Sequence, residues 1–556
     1  MRLSSLFARA PFSPSDWLII AVLGGVAVIA AGSLLASFSL YFTEQVPARG
    51  GTHYEGVVGV PRFINPILAI SDADRDLTAL IHAGLLKVST DGTLAPDLAE
   101  SYSVSEDKLT YTFILKSATF HDGTPLTAGD VAFTVGLAQS AAIKSPKRPN
   151  WEGVAVEAVD DRTVTFTLKS PYAPFLQNMT LGILPRHLWE SVSAEEFPFS
   201  TLNVQAVGAG PYQIDEVTVS AAGIPEMVSL KAFRNAPTVP YISTMIFSFY
   251  PDTDALAVAL AATPRLAAHS IAPDGTRDHR LEEAVLGRIF GVFFNQNQNE
   301  LFADRTVRAA LDTALDKQAL IDTLVAGYGS PLQGPLPPPS VSESGLVTTT
   351  TDRLQSGKDI LANAGWKAGD DGILQKTVRK STTRLSFTLV TGNAPELKRA
   401  AEVVAETWRS LGAEVETQFF EAGDLQQEII RPRKYDALLF GEVVGRDLDL
   451  FAFWHSSQRN DPGLNVALYV NSEVDDLLEE ARTIEDATLR REKVLEAATI
   501  IEDEHAAIFL YAPHFIYLVP DTLSGIQLGS ITTPADRFVG VTDWYLARER
   551  VWPLFK

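Results

Sequence analysis

An uncharged apolar stretch near the start of the sequence limits how the rest of the chain can fold. No residue between Asp16 and Glu44 is charged, and residues 17–42 are mostly Ile, Leu, Val and Ala. A membrane-spanning helix needs about 20 apolar residues, so this stretch is long enough to cross a bilayer with some tilt. Arg2 and Arg9 precede it, which favours a cytoplasmic N-terminus. We therefore predict a single-pass protein of the cell membrane, with a cytoplasmic segment over 1–16, a transmembrane helix over 17–42, a linker over 43–55 and an extracytoplasmic remainder.

A cleaved signal peptide is the alternative interpretation of the same stretch. Small residues at the spacing of a cleavage site occur at Ala31-Gly32-Ser33 and at Ser37-Phe38-Ser39. The first site lies inside the apolar run, and more apolar residues follow the second. We therefore expect the helix to be retained as an anchor.

The composition argues against several classes of function. A net charge of −22 disfavours nucleic acid as a partner, because phosphate binding needs clustered Lys and Arg. The chain has no cysteine, which excludes disulfides, thiolate metal sites, a thiol nucleophile and a lipid-modified cysteine anchor.

The rest of the sequence mixes strand and helix patterns. Apolar side chains alternate with polar ones over residues 109–116, which is typical of a half-buried strand. Residues 385–391, 396–411 and 415–420 read as strand, helix and strand, with Gly412 closing the helix, and such units build parallel sheets. We predict an α/β fold of two lobes that face each other across a cleft, one of them with an inserted subdomain.

Local signals place individual helix ends. Thr127 and Asp130 have the spacing of a capping box, which predicts that a helix begins there. Apolar residues recur at helical spacing from Val307, and Gly327 suits the C-cap of that segment.

No catalytic or metal-binding motif is present in the sequence. The G-x-S-x-G elbow, the H-E-x-x-H helix and the Walker loop are all missing, and the nine histidines are scattered. Alternating acids over residues 71–76 have part of a calcium-loop pattern, but its Gly and later Glu are missing. Acids at a helix N-terminus, which complement the helix dipole, explain them better. We predict no enzymatic activity, no catalytic residues, no metal site and no cofactor.

Residues 441–455, GEVVGRDLDLFAFWH, are the best candidate for a ligand-binding loop. They follow an apolar run that reads as a central strand, and loops at the C-terminal ends of such strands hold ligands in α/β sheets. Arg446, Asp447, Trp454 and His455 could meet a charged, polymeric or aromatic ligand there. A solvated loop with Phe451 and Trp454 packed in the core is an equally good interpretation.

Seven short motifs occur in the order found in one large family. The sequence over residues 56–520 resembles the family 5 (cluster C) solute-binding proteins of peptide and nickel ABC transporters. The motifs are Asn65-Pro66, Ala83–Leu86, Asp91-Gly92 with Pro96–Ser101, Phe120–Ala128, Gly208–Tyr212, Asp304–Leu311 and Leu361–Trp366.

This resemblance implies a periplasmic-binding-protein-like fold of type II with three domains. Domain I would be discontinuous, domain II inserted into it, and domain III the opposite lobe. The expected bounds are 56–98, 206–288 and 519–556 for domain I, 99–205 for domain II and 289–518 for domain III. Hinge closure between domains I and III would trap a ligand, and the protein would deliver it, as a monomer, to the permease subunits of an ABC transporter.

The resemblance also implies two ligand-binding loops. One corresponds to Ile70–Ala73 and the other to Glu442–Asp447. Peptide-binding members often carry an aspartate in the second loop that pairs with the α-amine of the peptide. Here Gly445 stands at that point and Asp447 follows two residues later, while Arg446 would disfavour a cation. An anionic or side-chain-linked ligand, such as a cell-wall peptide, is therefore an alternative. The candidate ligand-binding residues are Ser71, Asp72, Phe290, Glu442, Val443, Gly445, Arg446, Asp447, Trp454 and His455.

We expect the protein to capture peptides for an ABC transporter. A ligand-sensing or scaffold protein of the cell envelope would have the same ligand-binding lobes and is the second hypothesis. An envelope enzyme that uses paired carboxylates such as Asp447 and Asp449 is the third, although acids are so abundant here that such a pair is expected by chance.

Overall fold

A computed structural model describes residues 13–273, 278–339, 352–379 and 381–552. Most of the predicted cytoplasmic segment 1–16 lies outside these ranges. The first elements are α1 (Pro14–Phe42), β1 (Glu44–Ala48), β2 (Thr52–Val58) and α2 (Asp72–Ile81). Helix α1 contains a 20-residue apolar segment, Ser15–Leu34, with a mean hydropathy of 2.3, which is long enough to cross a membrane. Residues 43–55, predicted as a linker, contain β1 and part of β2, because both segments pair with other strands of the chain.

The next segment builds a separate small domain, called here the inserted domain. Its four-stranded antiparallel sheet has the order β5-β6-β8-β7 and packs on α3 around Phe113, Phe166 and Phe175. The predicted capping box is confirmed: the Thr127 N–H and hydroxyl both donate to the Asp130 carboxylate at 2.8 Å. The elements of this segment are β3 (Leu86–Val88), β4 (Leu94–Pro96), β5 (Ala99–Val104), β6 (Thr110–Leu115), α3 (Ala128–Gln139), α4 (Arg148–Trp151), β7 (Ala155–Ala158), β8 (Thr163–Thr167) and α5 (Arg186–Trp189).

The chain then completes the first lobe, which also contains β2 and α2. Strand β2 lies between two parallel neighbours, β11 and β12, and its Val57 belongs to a core that includes Phe247, Tyr517 and Trp544. The elements added here are β9 (Tyr212–Val219), β10 (Pro225–Ala232), β11 (Thr244–Tyr250), α6 (Thr253–Ala262), β12 (Leu266–His269) and β13 (His279–Val285).

The second lobe has a sheet with a hydrophobic core on each face. The predicted strand–helix–strand unit is confirmed, since β19 and β20 are parallel and α10, capped by Gly412, connects them. The helical pattern from Val307 forms two helices, and the C-cap of the second is Ala326, one residue before the predicted Gly327, with a left-handed φ of 52°. The elements are β14 (Arg288–Phe294), α7 (Arg305–Thr313), α8 (Lys317–Val325), β15 (Gly329–Pro331), α9 (Arg353–Asn363), β16 (Lys367–Ala368), β17 (Leu374–Val378), β18 (Ser381–Arg384), β19 (Ser386–Gly392), α10 (Pro395–Leu411), β20 (Glu414–Phe420), α11 (Ala422–Asp424), β21 (Ala437–Val443), α12 (Phe451–Trp454), α13 (Ser472–Thr483) and α14 (Ala487–Asp503).

Two segments of backbone join the lobes. One is the short connection from β13 to β14. The other is the long strand β22 (Ala507–Pro520), which pairs with β14 and β15 up to Pro513 and with β13 from His514 onward. After β22, a turn over Pro534–Asp543 packs against α2, and β23 (Ala547–Val551) is the last described strand. The α/β prediction is confirmed by this arrangement, and the expected domain bounds remain a prediction.

Candidate ligand-binding site

The end of β21 has an unpaired backbone edge. Strand β21 pairs with β14 along its whole length, from Arg288 opposite Val443 to Phe294 opposite Ala437. On its other side it pairs with the parallel strand β19 only at Ala437 and Leu438. Among the described residues, no other strand continues that pairing as far as Val443. An extended peptide can add to such an edge through main-chain hydrogen bonds.

Two aromatic rings lie on the paired side of this strand end, across β21 from its open edge. Phe290 is directly opposite Gly441, and a Cβ atom at 441 would be 2.8 Å from the Phe290 ring, so only glycine leaves the ring its place. Phe290 stacks on Tyr511 with ring centroids 5.1 Å apart. Burial, with a further contribution from Glu396, raises the pKa of Tyr511 to about 12, so its hydroxyl is protonated at neutral pH. The predicted contact Val443 is exposed at the end of the strand.

The loop after β21 begins at the junction between the lobes. The Val444 N–H donates to the Gly287 carbonyl at 2.9 Å, in the connection between β13 and β14. Gly445 allows the chain to turn closely, because a Cβ there would lie 2.8 Å from the Asp447 carboxylate. The loop therefore directs the consecutive side chains of Arg446 and Asp447 to different neighbours.

Arg446 reaches across to the first lobe. Its guanidinium lies 2.5 Å from the carboxylate of Asp536, and both side chains are largely buried. The second oxygen of Asp536 accepts hydrogen bonds from the N–H groups of Thr532 and Thr533 and from the Thr532 hydroxyl. We expected Arg446 to disfavour a cationic ligand, but Asp536 neutralises much of that charge.

A buried ionic network holds the turn that carries Asp536. The next residue, Arg537, is completely buried and donates to Glu55 on β2 and to Asp76 on α2 at 2.6–3.1 Å. Glu55 also accepts from the Tyr517 hydroxyl at 2.8 Å. The position of Asp536 is therefore fixed by the core of the first lobe.

Asp447 lines a cavity of about 220 Å³ between the second lobe and the inserted domain. No cation lies within ion-pair distance of its carboxylate among the described residues. Burial, together with the nearby charge of Asp449, raises its pKa. The other lining residues are Leu94, Tyr102, Val104, Tyr111, Ala173, Pro174, Leu176, Gln177, Glu485 and Arg490. The cavity thus combines an apolar, aromatic wall with three charged side chains, and Asp447 is the one of these that lies in the loop after β21.

The neighbouring acid, Asp449, is already neutralised. Arg482 donates to it through Nε and Nη2 at 2.9 and 2.6 Å, and the same guanidinium lies over the rings of Phe451 and Tyr172. Tyr172 belongs to the inserted domain, and burial, followed by the charges of Asp449 and Asp447, raises its pKa to about 12. This cluster holds the inserted domain against the second lobe and leaves Asp447 as the carboxylate free to bind a cation.

Three predicted contacts lie inside the second lobe. Glu442 is 3 % exposed, neither of its carboxylate oxygens has a hydrogen-bond partner among the described residues, and burial raises its pKa well above the usual value. Trp454 is completely buried against Phe293 and Phe509, which is the packing role that the sequence left open. His455 is 6 % exposed and bonds to the Ser457 hydroxyl at 2.8 Å, where it begins the next turn.

Ser71 and Asp72 lie at the N-terminus of α2, as the helix interpretation of these acids predicted. The Ser71 hydroxyl accepts from the Asp74 N–H at 3.1 Å, and the Asp74 carboxylate accepts from the N–H groups of Arg62 and Phe63 at 2.7 and 2.8 Å. Within the described ranges, no hydrogen bond or ion pair joins Ser71 or Asp72 to residues 442–447. Helix α2 is linked to that loop through the turn that carries Asp536.

Comparison with known proteins identifies the family. A model of the family described as bacterial extracellular solute-binding proteins, family 5, matches residues 93–462, more than half of the chain. The chain belongs to family 5 of the bacterial extracellular solute-binding proteins.

Two relatives of this family 5 protein align with most of its length. Oligopeptide-binding protein AppA of Bacillus subtilis is 28 % identical over 536 residues, which cover 93 % of this chain and 96 % of AppA. Protein XP55 of Streptomyces lividans is 30 % identical over 491 residues, which are 85 % of each chain.

Solved structures of family members share the fold. AppA from Bacillus subtilis in complex with a nonapeptide matches with a TM-score of 0.66 and 28 % identity, covering 90 % of this chain and all of that chain. The ABC transporter substrate-binding protein CtaP of Listeria monocytogenes matches with a TM-score of 0.71 and 26 % identity, covering 90 % of this chain and 99 % of CtaP. The predicted periplasmic-binding-protein-like fold is therefore confirmed.

The sequence analysis did not identify three residues of this candidate site, which are Asp536, Tyr172 and Arg482. Thr533 and Asp536 do have capping-box spacing, and the structure contains that box. Nothing local in the sequence links Asp536 to Arg446, or Tyr172 and Arg482 to Asp449, because each contact joins elements that are distant along the chain.

Proposed function

We propose that this family 5 protein captures peptides in the crevice between its lobes and delivers them to an ABC transporter. The observation that carries the proposal is the open edge of β21, which leads directly into a loop with an unpaired carboxylate. An extended main chain fits the edge, and Asp447 fits an ammonium group. The relatives AppA and CtaP, named as an oligopeptide-binding protein and an ABC transporter substrate-binding protein, support this ligand and this role.

Each part of the site has a role in this proposal. The backbone of Phe440–Val443 pairs with the ligand main chain, Phe290, supported from behind by the buried Tyr511, packs against an apolar side chain, and Asp447 pairs with a cationic group. Glu442 and Trp454 support the strand and loop from inside the lobe. The cavity beside Asp447, with a volume of about 220 Å³, has room for one large side chain of the ligand.

Closure of the lobes would trap the ligand, and reopening would release it unchanged. The two connecting segments, between β13 and β14 and at Pro513 of β22, are short enough to act as a hinge. Closing the crevice removes water from the ligand and so strengthens its hydrogen bonds and ion pairs. Binding alone, with no covalent step, is sufficient for this function.

The apolar helix α1 would keep the binding protein at the membrane. We propose that it is retained as a single-pass anchor and that the monomer works with the permease subunits of the transporter. Anchoring raises the effective concentration of the binding protein at its permease without any new contact between the two.

Calorimetric titration tests the proposed ligand class. The full-length protein in nanodiscs is titrated with a pool of short peptides and with the same pool after N-terminal acetylation. The expected result is saturable binding of one peptide per protein, weakened by acetylation. Asp447→Asn should remove the preference for the free amine, whereas Asp461→Asn, at a loop acid outside the site, should keep it. If neither the free nor the acetylated pool showed saturable binding, that result would contradict peptide capture.

A further inference from the structure

A two-stranded ribbon follows the membrane helix almost immediately. Helix α1 ends at Phe42, and β1 begins at Glu44. Strand β1 pairs antiparallel with β23, from Glu44 opposite Val551 to Ala48 opposite Ala547. The guanidinium of Arg550 also donates to the carbonyl of Thr43, the one residue between helix and strand, at 3.4 Å. The last described strand is therefore brought back to the end of the membrane helix.

Short segments attach the ribbon to the first lobe. After β1, the Gly50 N–H donates to the Tyr241 carbonyl at 2.8 Å, and the Gly51 carbonyl accepts from the Ser243 hydroxyl at 2.8 Å. Before β23, the backbone groups of Tyr545 and Ser524 exchange two hydrogen bonds at 2.9 and 3.0 Å. A five-residue strand is about 17 Å long. The lobe is thus held close to the end of α1 by a paired ribbon in place of a flexible linker.

The two faces of the ribbon carry opposite charges. Side chains alternate along a strand, and directly opposed residues share a face. Arg548 and Arg550, with their partners Pro47 and Gln45, lie on one face. The Arg548 guanidinium lies over the Tyr545 ring and donates to the Ser524 hydroxyl at 3.4 Å, while its side chain stays exposed. Glu549 lies on the other face, which it shares with Glu44. In a chain with a net charge of −22, one side of the ribbon is therefore basic.

Aromatic side chains lie at the same level. Tyr41, in the last turn of α1, is 85 % exposed, and Trp552, directly after β23, is 40 % exposed. The strand alternation, continued by one residue, puts Trp552 on the face of the two arginines. Tyr and Trp concentrate at membrane–water interfaces, and Arg is attracted to anionic headgroups.

We propose that the face of Arg548, Arg550 and Trp552 lies on the anionic headgroups of the outer leaflet and fixes the height and orientation of the first lobe above the membrane. This inference depends on the proposed function only in that α1 must be retained as an anchor. It gives the ribbon a membrane-docking role and identifies phospholipid as its partner.

Nitroxide labels on single cysteines test the proposal, since the natural chain has no cysteine to interfere. The full-length protein is labelled at Gln45→Cys on the basic face or at Glu549→Cys on the acidic face; both positions are exposed. A third label, at Tyr41→Cys, reports the anchor itself. Collision with an aqueous nickel chelate is measured in nanodiscs with and without anionic phospholipid.

The expected result is several-fold less nickel collision at Gln45 than at Glu549 in anionic nanodiscs, with a smaller difference in zwitterionic ones. The double substitution Arg548→Glu with Arg550→Glu should abolish the effect of anionic lipid. Equal accessibility of the two labels while the Tyr41 label stays at the interface would overturn the docking face. A Tyr41 label away from the membrane would overturn both the docking face and the membrane anchor. Peptide binding is measured on the same samples, so that either of these failures can be told apart from a failure of peptide capture.

Discussion

The Arg446 guanidinium of the second lobe lies 2.5 Å from the Asp536 carboxylate of the first lobe. This ion pair joins the two lobes, and the next residue in the loop, Asp447, faces the cavity beside the inserted domain. Asp536 keeps three other hydrogen-bond donors when Arg446 is removed. The pair can therefore break during opening without leaving a buried, unsolvated carboxylate.

Arg446→Gln should favour the open state of the lobes. A partly buried ion pair stabilises its closed geometry by about 1 kcal/mol, which corresponds to about a fivefold change in an equilibrium constant. We expect a larger radius of gyration for the ligand-free protein in X-ray scattering and about fivefold weaker peptide binding. Arg431→Gln is the matched control, because Arg431 pairs with Asp461 within the second lobe. An unchanged scattering profile for Arg446→Gln would argue against a role in closure.

Peptide affinity should fall as the pH is lowered. The fall should occur at a higher pH than it would if the ligand were bound by an aspartate of ordinary pKa. Burial, with Asp449 adding to it, raises the pKa of Asp447. The ligand ammonium needs the ionised carboxylate, so affinity is present above this raised pKa and is lost as the pH falls through it. Calorimetric titrations from about pH 4 to pH 7 measure the dependence, since model aspartates titrate near pH 3.9. The Asp447→Asn protein should bind weakly and without that dependence.

Glu442 should make the second lobe less stable as the pH rises. Burial raises the pKa of this carboxyl well above the usual value, so the folded protein keeps a proton that the unfolded chain loses. The free energy of unfolding then falls, above the ordinary glutamate pKa of 4.5, by up to about 1.4 kcal/mol per pH unit. Glu442→Gln removes this titration and should flatten the curve from urea unfolding, whereas Glu402→Gln, at an exposed position of α10, should leave it unchanged.

Loss of Arg537 should destabilise the first lobe in particular. Arg537→Met would remove the arginine counter-charge that buried Glu55 and Asp76 share, which costs about 3–5 kcal/mol. Amide hydrogen exchange should therefore accelerate in β2 and in the part of β22 from His514 onward, while the protection of α10 is retained. As a control, Arg384→Met removes the exposed ion pair with Asp371 and should leave amide exchange unchanged in both lobes. Uniform loss of protection in both lobes would show that they unfold as one unit.

Local sequence signals were sufficient for much of the fold. The Thr127–Asp130 capping box, the strand–helix–strand unit closed by Gly412 and the apolar helix all depend on neighbours in sequence, and the structure contains each of them. The predicted C-cap at Gly327 was wrong by one residue, because the helix is capped by Ala326. Ala326 takes the left-handed conformation that glycine adopts more easily, and the sequence alone does not show this.

The site was less predictable because its contacts are between distant elements. The loop after β21 was found from its place after an apolar run, but the neighbours of its side chains depend on how the lobes and the inserted domain meet. Trp454 illustrates the difficulty: an aromatic residue in a loop can face a ligand or the core, and here it is buried against Phe509. Likewise, the sequence shows the charge of Arg446 but does not show that Asp536, 90 residues later, neutralises much of it.

Native mass spectrometry of the full-length protein in nanodiscs tests the central claim most directly. The protein is equilibrated with a random pool of short peptides, and the bound species are released and weighed. We predict complexes of one protein with one peptide, and released peptides whose masses equal those in the pool. Recovery of cleaved or otherwise modified peptides, or of protein without any bound peptide, would contradict capture of an unaltered peptide between the two lobes.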